Sequence, residues 1–499
     1  MATDTLQPAS RVPPPGTTRM ESSCPLDCPD ACSLTVDVAE GRVVRIDGST
    51  RNPVTAGFIC AKVRGYADHL YGDARLRFPA VRRGAKGEGR FERVSWDEAL
   101  GLVATRLRDA RARSGGESIL PLSYGGSNGY LSQDVTDARL FRRLGASRLK
   151  RAVCAAPTGR AAEGLYGDMP GVAYEDYAHA RLVVIWGANP NAAGIHLVPY
   201  VYEAQRRGAR LVVVDPRRTP LTRRADLHLA VRPGTDLCLA LAVVRWLATH
   251  GKADEAFLAE HTTGWSELRR RAEAWTLERA AAATGLLPAD IEAFARLYAE
   301  SQPALVRCGW GLERNRNGGS AAAAVIALPA VAGKFGVRGG GYTLSNSSAW
   351  DLSPEGAIRA RPVSTREVNM NRLGRALAPG TQPPVKLLFV YNCNPLMTLP
   401  DQEGVRRGLG RDDLFTVVFD QVLTDSARYA DVVLPATTFL ERREIQRGYG
   451  AYALHDSVPV VTPVGEARSN HEVFAELCRR AGVAEDGDPE TAEDLAAAL

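Results

Sequence analysis

Several things are missing from this 499-residue chain, and each absence closes a class of function. No run of apolar residues extends far enough to span a bilayer, so no membrane segment is expected. The N-terminal stretch MATDTLQPASRVPPPGTTRM has neither an apolar core nor a twin arginine, so no export signal is read and a cytoplasmic location is expected. The net charge of +5 is too dilute over this length to argue for a nucleic-acid partner, and no basic run or zinc-finger pattern stands out. Cysteine is sparse at nine, and an odd number in a leaderless chain argues against a disulfide framework. No GxGxxG follows a strand, which disfavours a plain NAD site.

What is there is ordinary in bulk and specific in detail. A 45% hydrophobic and 24% charged composition suits a globular protein of about three domains. Residues 1–20 carry Pro and Ser and are expected to be disordered. Strands are expected at 34–38 and 42–46 around the turn Glu40-Gly41. Ser95 followed by Glu98 has the form of a capping box and predicts a helix running toward Ala112. Short β-branched runs at 182–186, 211–214, 387–391 and 416–419 read as buried parallel strands, with helical stretches between them. The expected fold is α/β with doubly wound sheets. A strand is also expected at 148–153, and residues 351–385 read as a long irregular connection.

An internal repeat organises the middle of the chain. Leu182-Val-Val-Ile-Trp-Gly-Ala-Asn-Pro190 matches Leu387-Leu-Phe-Val-Tyr-Asn-Cys-Asn-Pro395 at a shift of 205 residues. The same shift carries Asp215 onto Asp420, Thr219 onto Thr424, Arg223 onto Arg428 and Asp226 onto Asp431, with no gap. In each copy a buried strand ends where ligands bind in open α/β sheets. A turn with free amide groups follows, suited to phosphate, and an Asp beyond the next strand can bond a ribose or a base edge. Two copies imply two nucleotide ends; the bland alternative is a duplicated scaffold without a ligand.

Cys24, Cys28, Cys32 and Cys60 form C-x3-C-x3-C-x27-C. Four thiolates suit a cubane iron–sulfur cluster or a structural zinc ion.

Cluster and repeat together resemble the molybdopterin oxidoreductases of the dimethyl-sulfoxide-reductase superfamily, which includes formate dehydrogenases and nitrate reductases. The resemblance runs from about residue 20 to 499. It rests on CPLDCPDAC, the GFICAK segment ending at Lys62, RFPAVRRGAKGEGRFERVSWDEAL, the repeat segments, RPGTD at 232–236 and ADVVLPATTFLE at 430–441. It implies a small N-terminal 4Fe-4S domain over 21–75 and two Rossmann-like domains related by the repeat, one built from 76–150 with 336–499 and the other from 151–335. It further implies a 4Fe-4S cluster on Cys24, Cys28, Cys32 and Cys60, and molybdenum or tungsten held by two pterin guanine dinucleotides. By the same resemblance Lys62 lies between cluster and pterin as a relay, where position alone would suggest a solvated charge. Cys154, in Arg151-Ala-Val-Cys-Ala-Ala-Pro-Thr158, matches the segment of the metal's protein ligand; otherwise it is a small buried thiol.

Gly187, Asn189, Asp215, Arg217, Thr219 and Asp236 would hold one guanosine end. Asn392, Asn394, Asp420 and Thr424 would hold the other. Gly309, Gly311 and Arg314, in CGWGLERN, would approach a pterin or its phosphates, or form only a tight turn. Partners would be a small-molecule substrate and an external electron carrier such as a ferredoxin, a flavoprotein or a quinone-linked subunit. Two alternatives accompany this reading: a non-catalytic scaffold like the large iron–sulfur subunit of respiratory complex I, and a non-redox hydratase. Three departures are visible. The first cysteine gap is three residues where many relatives have two. Ala155 stands where formate dehydrogenases carry His. The chain stops at Leu499, where relatives continue into a β-barrel, so the barrel is expected to be absent here.

Overall fold

The computed structural model describes residues 15–169, 171–350 and 352–499. Most of the tail expected to be disordered, residues 1–14, lies outside the described residues. Its end is ordered: Thr18–Ser23 is a strand that pairs antiparallel with Ser33–Ala39, which in turn pairs with Arg42–Gly48. Glu40 and Gly41 both have left-handed backbone, at φ 50° and 71°, which gives the turn the twist that a two-residue hairpin needs. Leu34, Val36 and Ile46 bury one face of this small sheet against Cys24, Cys32 and Leu70.

Two larger sheets carry the repeat. In the first, Leu387–Tyr391, Phe415–Asp420 and Val432–Pro435 run parallel in that spatial order, and Ile119–Ser123 pairs parallel on the other side of Leu387–Tyr391. An antiparallel hairpin, Ala80–Arg82 with Phe91–Arg93, closes the far edge. In the second, Leu182–Trp186, Arg210–Val214 and Leu227–Leu229 take the same parallel order, with Ala304–Cys308 and then Gly341–Thr343 on the other side. The matching register puts Trp186 beside Val214 and Tyr391 beside Phe419, pairs related by the 205-residue shift.

Both faces of each sheet are covered. Leu182, Val184 and Trp186 enter one apolar cluster, while Val183 and Ile185 enter another. Leu387, Phe389 and Tyr391 divide from Leu388 and Val390 in the same way. Burial on both faces is why these strands read as unbroken apolar runs rather than alternating ones. The helix Trp96–Ser114 opens as expected, with Ser95 Oγ accepting from the Glu98 amide at 3.2 Å and Glu98 returning the bond to the Ser95 amide at 2.8 Å.

Three expectations shift. The second sheet takes in Gly341–Thr343, so its domain runs past the boundary expected at residue 335. The strand expected at 148–153 is only Arg148–Lys150 and lies outside both large sheets. It pairs with Glu367–Asn369, inside the segment expected to be irregular. Three-residue strands carry no readable periodicity, and their partners lie far along the chain.

Candidate cofactor site

The carboxyl ends of the two sheets face a group of adjoining cavities. After Leu387–Tyr391 the chain turns at Asn392, whose φ of 50° repeats the left-handed Gly187 at 63° after Leu182–Trp186. Asn is among the few side chains that accept this conformation readily. Each turn is braced by a glycine loop from the neighbouring strand. Gly309 and Gly311 donate to the carbonyls of Trp186 and Gly187 at 2.8 and 3.0 Å, and Gly126 donates to the Asn392 carbonyl at 3.0 Å. A Cβ on Gly309 would lie 2.2 Å from the Gly187 oxygen, and one on Gly311 2.7 Å from it. The Gly-Trp-Gly segment is therefore glycine-rich because backbone packs on backbone.

A cavity of about 580 Å3 is bordered by Asn392, Asn394, Asp420, Thr424, Arg314 and Cys154. The first four are the residues expected at one nucleotide end; Arg314 is expected to approach a pterin or its phosphates, and Cys154 is the candidate metal ligand. Burial raises the Asp420 carboxyl to about 6, against amide donation from Gln421 and Val422. Asn394 also serves the scaffold, since its Oδ1 accepts from Ser426 Oγ at 2.6 Å. Thr424 Oγ1 accepts from the Ala427 amide at 3.1 Å. In the other copy, Asn189 Oδ1 and Thr219 Oγ1 are buried with no protein partner among the described residues. Asp215 accepts from the Arg217 amide at 2.8 Å, and Arg217 itself is exposed. Asp236 is buried at the first turn of the helix Asp236–Thr249 and accepts from Trp186 Nε1 at 2.8 Å, which ties it to the strand end.

Cys154 also borders a second cavity, of about 320 Å3, walled by Tyr124, Tyr130, Trp310 and Tyr449. It precedes the helix Ala156–Tyr166, and Ala155 has left-handed backbone at φ 60°. The buried Glu313 carboxylate holds this turn by accepting from the Ala155 amide and from Thr158 Oγ1. Burial first, and then the Glu313 charge, raise the free Cys154 thiol to about 11; Arg314 opposes them. A bound metal would deprotonate this thiol regardless.

Cys24, Cys28, Cys32 and Cys60 line one enclosed cavity of about 150 Å3, although Cys60 is distant in sequence from the other three. Their burial raises Cys24 and Cys28 to about 12. Thiols desolvated around one small space, as Cys24, Cys28 and Cys32 are, are costly as thiolates unless a metal group holds them. Lys62, on the short helix after Cys60, borders the same cavity and donates to the Ala192 carbonyl at 3.4 Å, in the loop that follows Asn189. The first repeat loop thus reaches the cysteine cavity and the second reaches the large one.

Some residues of the site carry no sequence signal that would single them out. Asp27 borders all three cavities and accepts from Tyr449 Oη at 3.1 Å. His196 comes from the other end of the first repeat loop to lie 3.7 Å from Cys32 Sγ.

Paired parallel sheets with nucleotide-type strand-end turns, one of whose loops borders a four-cysteine cavity, have the make-up of a metal- and nucleotide-binding protein. Residues 75–480 match the molybdopterin oxidoreductase family, and residues 17–72 match the molybdopterin oxidoreductase Fe4S4 domain. The chain belongs to that family. It is an enzyme with a 4Fe-4S cluster and a molybdenum–pterin cofactor, and it serves molybdenum-dependent redox or related chemistry. It is 37% identical over 465 residues to Probable oxidoreductase YoaE of Bacillus subtilis (strain 168), covering 93% of this chain and 68% of the relative. It is 28% identical to dimethyl sulfoxide reductase DmsA of Escherichia coli (strain K12), covering 93% of this chain and 64% of that protein. Among solved structures, acetylene hydratase from Pelobacter acetylenicus matches with a TM-score of 0.80 at 25% identity, over 93% of this chain and 69% of that one. No helix among the described residues is long and apolar enough to cross a membrane.

Proposed function

We propose that the chain performs two-electron oxidation or reduction of a small substrate at a metal carried by two pterin guanine dinucleotides, and passes the electrons singly through the 4Fe-4S cluster to an external carrier. The observation that carries this reading is the placement of Cys154, on the wall shared by two cavities, with Asp27 linking both to the cysteine cavity. When bound, the metal cofactor supplies the redox chemistry. The protein's part is to hold and orient. Asn392, Asn394, Asp420 and Thr424 receive one guanosine end. Gly187, Asn189, Asp215, Arg217, Thr219 and Asp236 receive the other, where Asn189 and Thr219 offer buried polar atoms with no protein partner. Cys24, Cys28, Cys32 and Cys60 ligate the cluster. Lys62 bridges the cysteine cavity and the first repeat loop, as a relay between the two centres should.

The reading is tested at two positions. Cys154→Ser should keep iron and pterin, show one sulfur fewer at the molybdenum edge in X-ray absorption, and lower turnover by orders of magnitude. An unchanged sulfur count makes Cys154 an ordinary core thiol. Lys62→Met should leave metal content intact while slowing electron transfer to a dye acceptor; unchanged transfer rejects the relay. The likeness to acetylene hydratase supports a second reading, non-redox hydration, which turnover without any electron acceptor would favour.

A further inference from the structure

The two repeats differ at the residue that follows each strand-end Asp. The 205-residue shift carries Pro216, exposed just after Asp215, onto Gln421, which follows Asp420. Proline has no amide hydrogen to donate. Gln421 does, and its amide reaches Asp420 Oδ1 at 2.6 Å. Its side-chain nitrogen donates to the Thr437 carbonyl at 3.1 Å, which fixes the other atom of that amide as the oxygen. The oxygen accepts from Tyr66 Oη at 3.0 Å and from His69 Nε2 at 2.9 Å. The Gln421 carbonyl accepts from the Leu76 amide at 2.8 Å and from Arg75 Nη1 at 2.9 Å. Two residues on, the Leu423 amide donates to the Ala74 carbonyl at 3.3 Å, and Arg75 forms a β-bridge with Val422.

The groups that hold Gln421 descend from the cysteine cavity. Cys60 leads into the short helix Ala61–Arg64, and the helix Tyr66–Tyr71 follows after Gly65 alone. Tyr66 and His69 are three residues apart on that second helix, so they share a face. The buried Tyr66 ring packs on Phe439 at 4.7 Å, and both belong to the apolar cluster that contains Cys24 and Cys32. Metal ligation by thiolates is coupled to the folding of the segment that carries them. Iron in the cysteine cavity therefore orders the helix that supplies two of the donors to Gln421. The first copy is built otherwise. The module meets it at Ala192, in the loop after Asn189, whereas Asp215 is held from its own domain by the Arg217 amide at 2.8 Å and by His228 Nε2 against its carbonyl at 2.9 Å.

We propose that Gln421 is a positioning residue through which the cysteine module sets the Asp420 side chain for one guanosine end, so that this copy of the repeat, unlike the other, holds its nucleotide more tightly when the cluster is in place. This rests on the readings that the four cysteines ligate the cluster and that Asp420 receives a guanosine end. Tyr66 and His69 belong to the same device, because they fix the Gln421 side chain from the helix that follows Cys60.

The test is hydrogen–deuterium exchange, read by mass spectrometry on the full 499-residue chain reconstituted anaerobically with iron and sulfide, and on the same chain after the iron is chelated. Removing iron should speed exchange across residues 421–424 by roughly tenfold, as when a few local hydrogen bonds open, and leave 217–219 unmoved. Gln421→Ala, with its iron counted and retained, should exchange fast at 422–424 from the start and lose most of its sensitivity to iron. A merely structural role would speed exchange in the variant but leave that sensitivity intact. If Gln421→Ala does not fold, Tyr66→Phe decides the matter: it keeps the ring on Phe439, removes one donor, and should give a smaller rise confined to the same segment. The iron-loaded Gln421→Ala enzyme should also release less guanosine monophosphate on acid hydrolysis than the wild type. Exchange at 421–424 unmoved by iron or by Tyr66→Phe, an equal rise at 217–219, or equal nucleotide release overturns this inference alone. A wild type that takes up no iron overturns the cluster reading, and one that holds iron but releases no guanosine monophosphate overturns the nucleotide reading.

Discussion

Asp215 and Asp420 occupy the same place in the two repeats but meet different surroundings. Asp215 is half-buried beside the exposed Arg217, whereas Asp420 lies deep on the large cavity wall, where burial raises its carboxyl to about 6. The folded protein then holds the Asp420 proton to a higher pH than the unfolded chain does. Stability of the cofactor-free protein should therefore fall as pH rises from about 4 to about 6, by up to about 3 kcal/mol, and stay lower above that window. Asp420→Asn should abolish this fall, so that its thermal midpoint exceeds that of the wild type at pH 7.5 and matches it at pH 4. Parallel melting profiles for the two proteins across that range would show that Asp420 ionises freely. The sequence made Asp420 a candidate through its repeat partner. It could not show the difference in burial between the copies, which depends on the Gly125–Ser127 loop and on Gln421 and Thr437 closing over the cavity.

The strand-end turns are where the two halves of the repeat are most alike and where backbone geometry leaves least freedom. Gly187 and Asn392 share a left-handed conformation, so Asn392→Gly should be close to neutral while Asn392→Val should cost about 1–2 kcal/mol. Gly309→Ala drives a Cβ into the Gly187 carbonyl and should cost about 1–3 kcal/mol by denaturant unfolding. A shift below a few tenths of a kcal/mol at either Asn392→Val or Gly309→Ala would mean that the turn relaxes. At this scale the sequence was partly legible. The gapless shift of 205 residues exposed two of the three parallel strands of each copy, because their order along the chain is the same; the short third strands, Leu227–Leu229 and Val432–Pro435, carried no signal of their own. The bracing loops are equivalent as well: Ser123 and Cys308 end strands in the same register, and Gly126 and Gly311 each follow by three residues. That equivalence was hidden, because one copy takes its fourth strand from before the repeat and the other from after it. For the same reason the Gly-Trp-Gly segment left two readings open in the sequence, a loop approaching a pterin or only a tight turn, and the structure shows its glycines packed on neighbouring backbone.

Across the whole molecule, the family was legible from motifs alone, since the cysteine loop, the repeat and the 430–441 segment are local strings of residues. The contacts that join the parts were not. Arg75 meets Glu441 at 3.0 Å with both side chains fully buried, Tyr66 and His69 meet Gln421, and Asp30 meets His196. These ties anchor the cysteine module to both sheets, and each links residues more than a hundred positions apart, where single-sequence patterns carry no information.

The interleaving of the two sheets also bears on the order in which the protein can be made. Among the described residues, Ile119–Ser123 leaves the ribosome early but pairs only with Leu387–Tyr391, whereas every strand of the second sheet lies between Leu182 and Thr343. Domains fold as units once their residues have emerged, and strand pairings of large sequence separation come late. A translating ribosome stalled shortly after residue 380 should therefore display a protease-resistant second sheet tethered to an unpaired, apolar strand and the helix Trp96–Ser114, both awaiting their partners. Equal protease sensitivity of the two regions in such stalled chains would mean that the inserted unit cannot fold before the frame around it is complete. On this account the nascent protein passes through a stage in which its cysteine module has Asp30 and His196 in place but not yet Glu441, so one of its two anchors is set before the other exists.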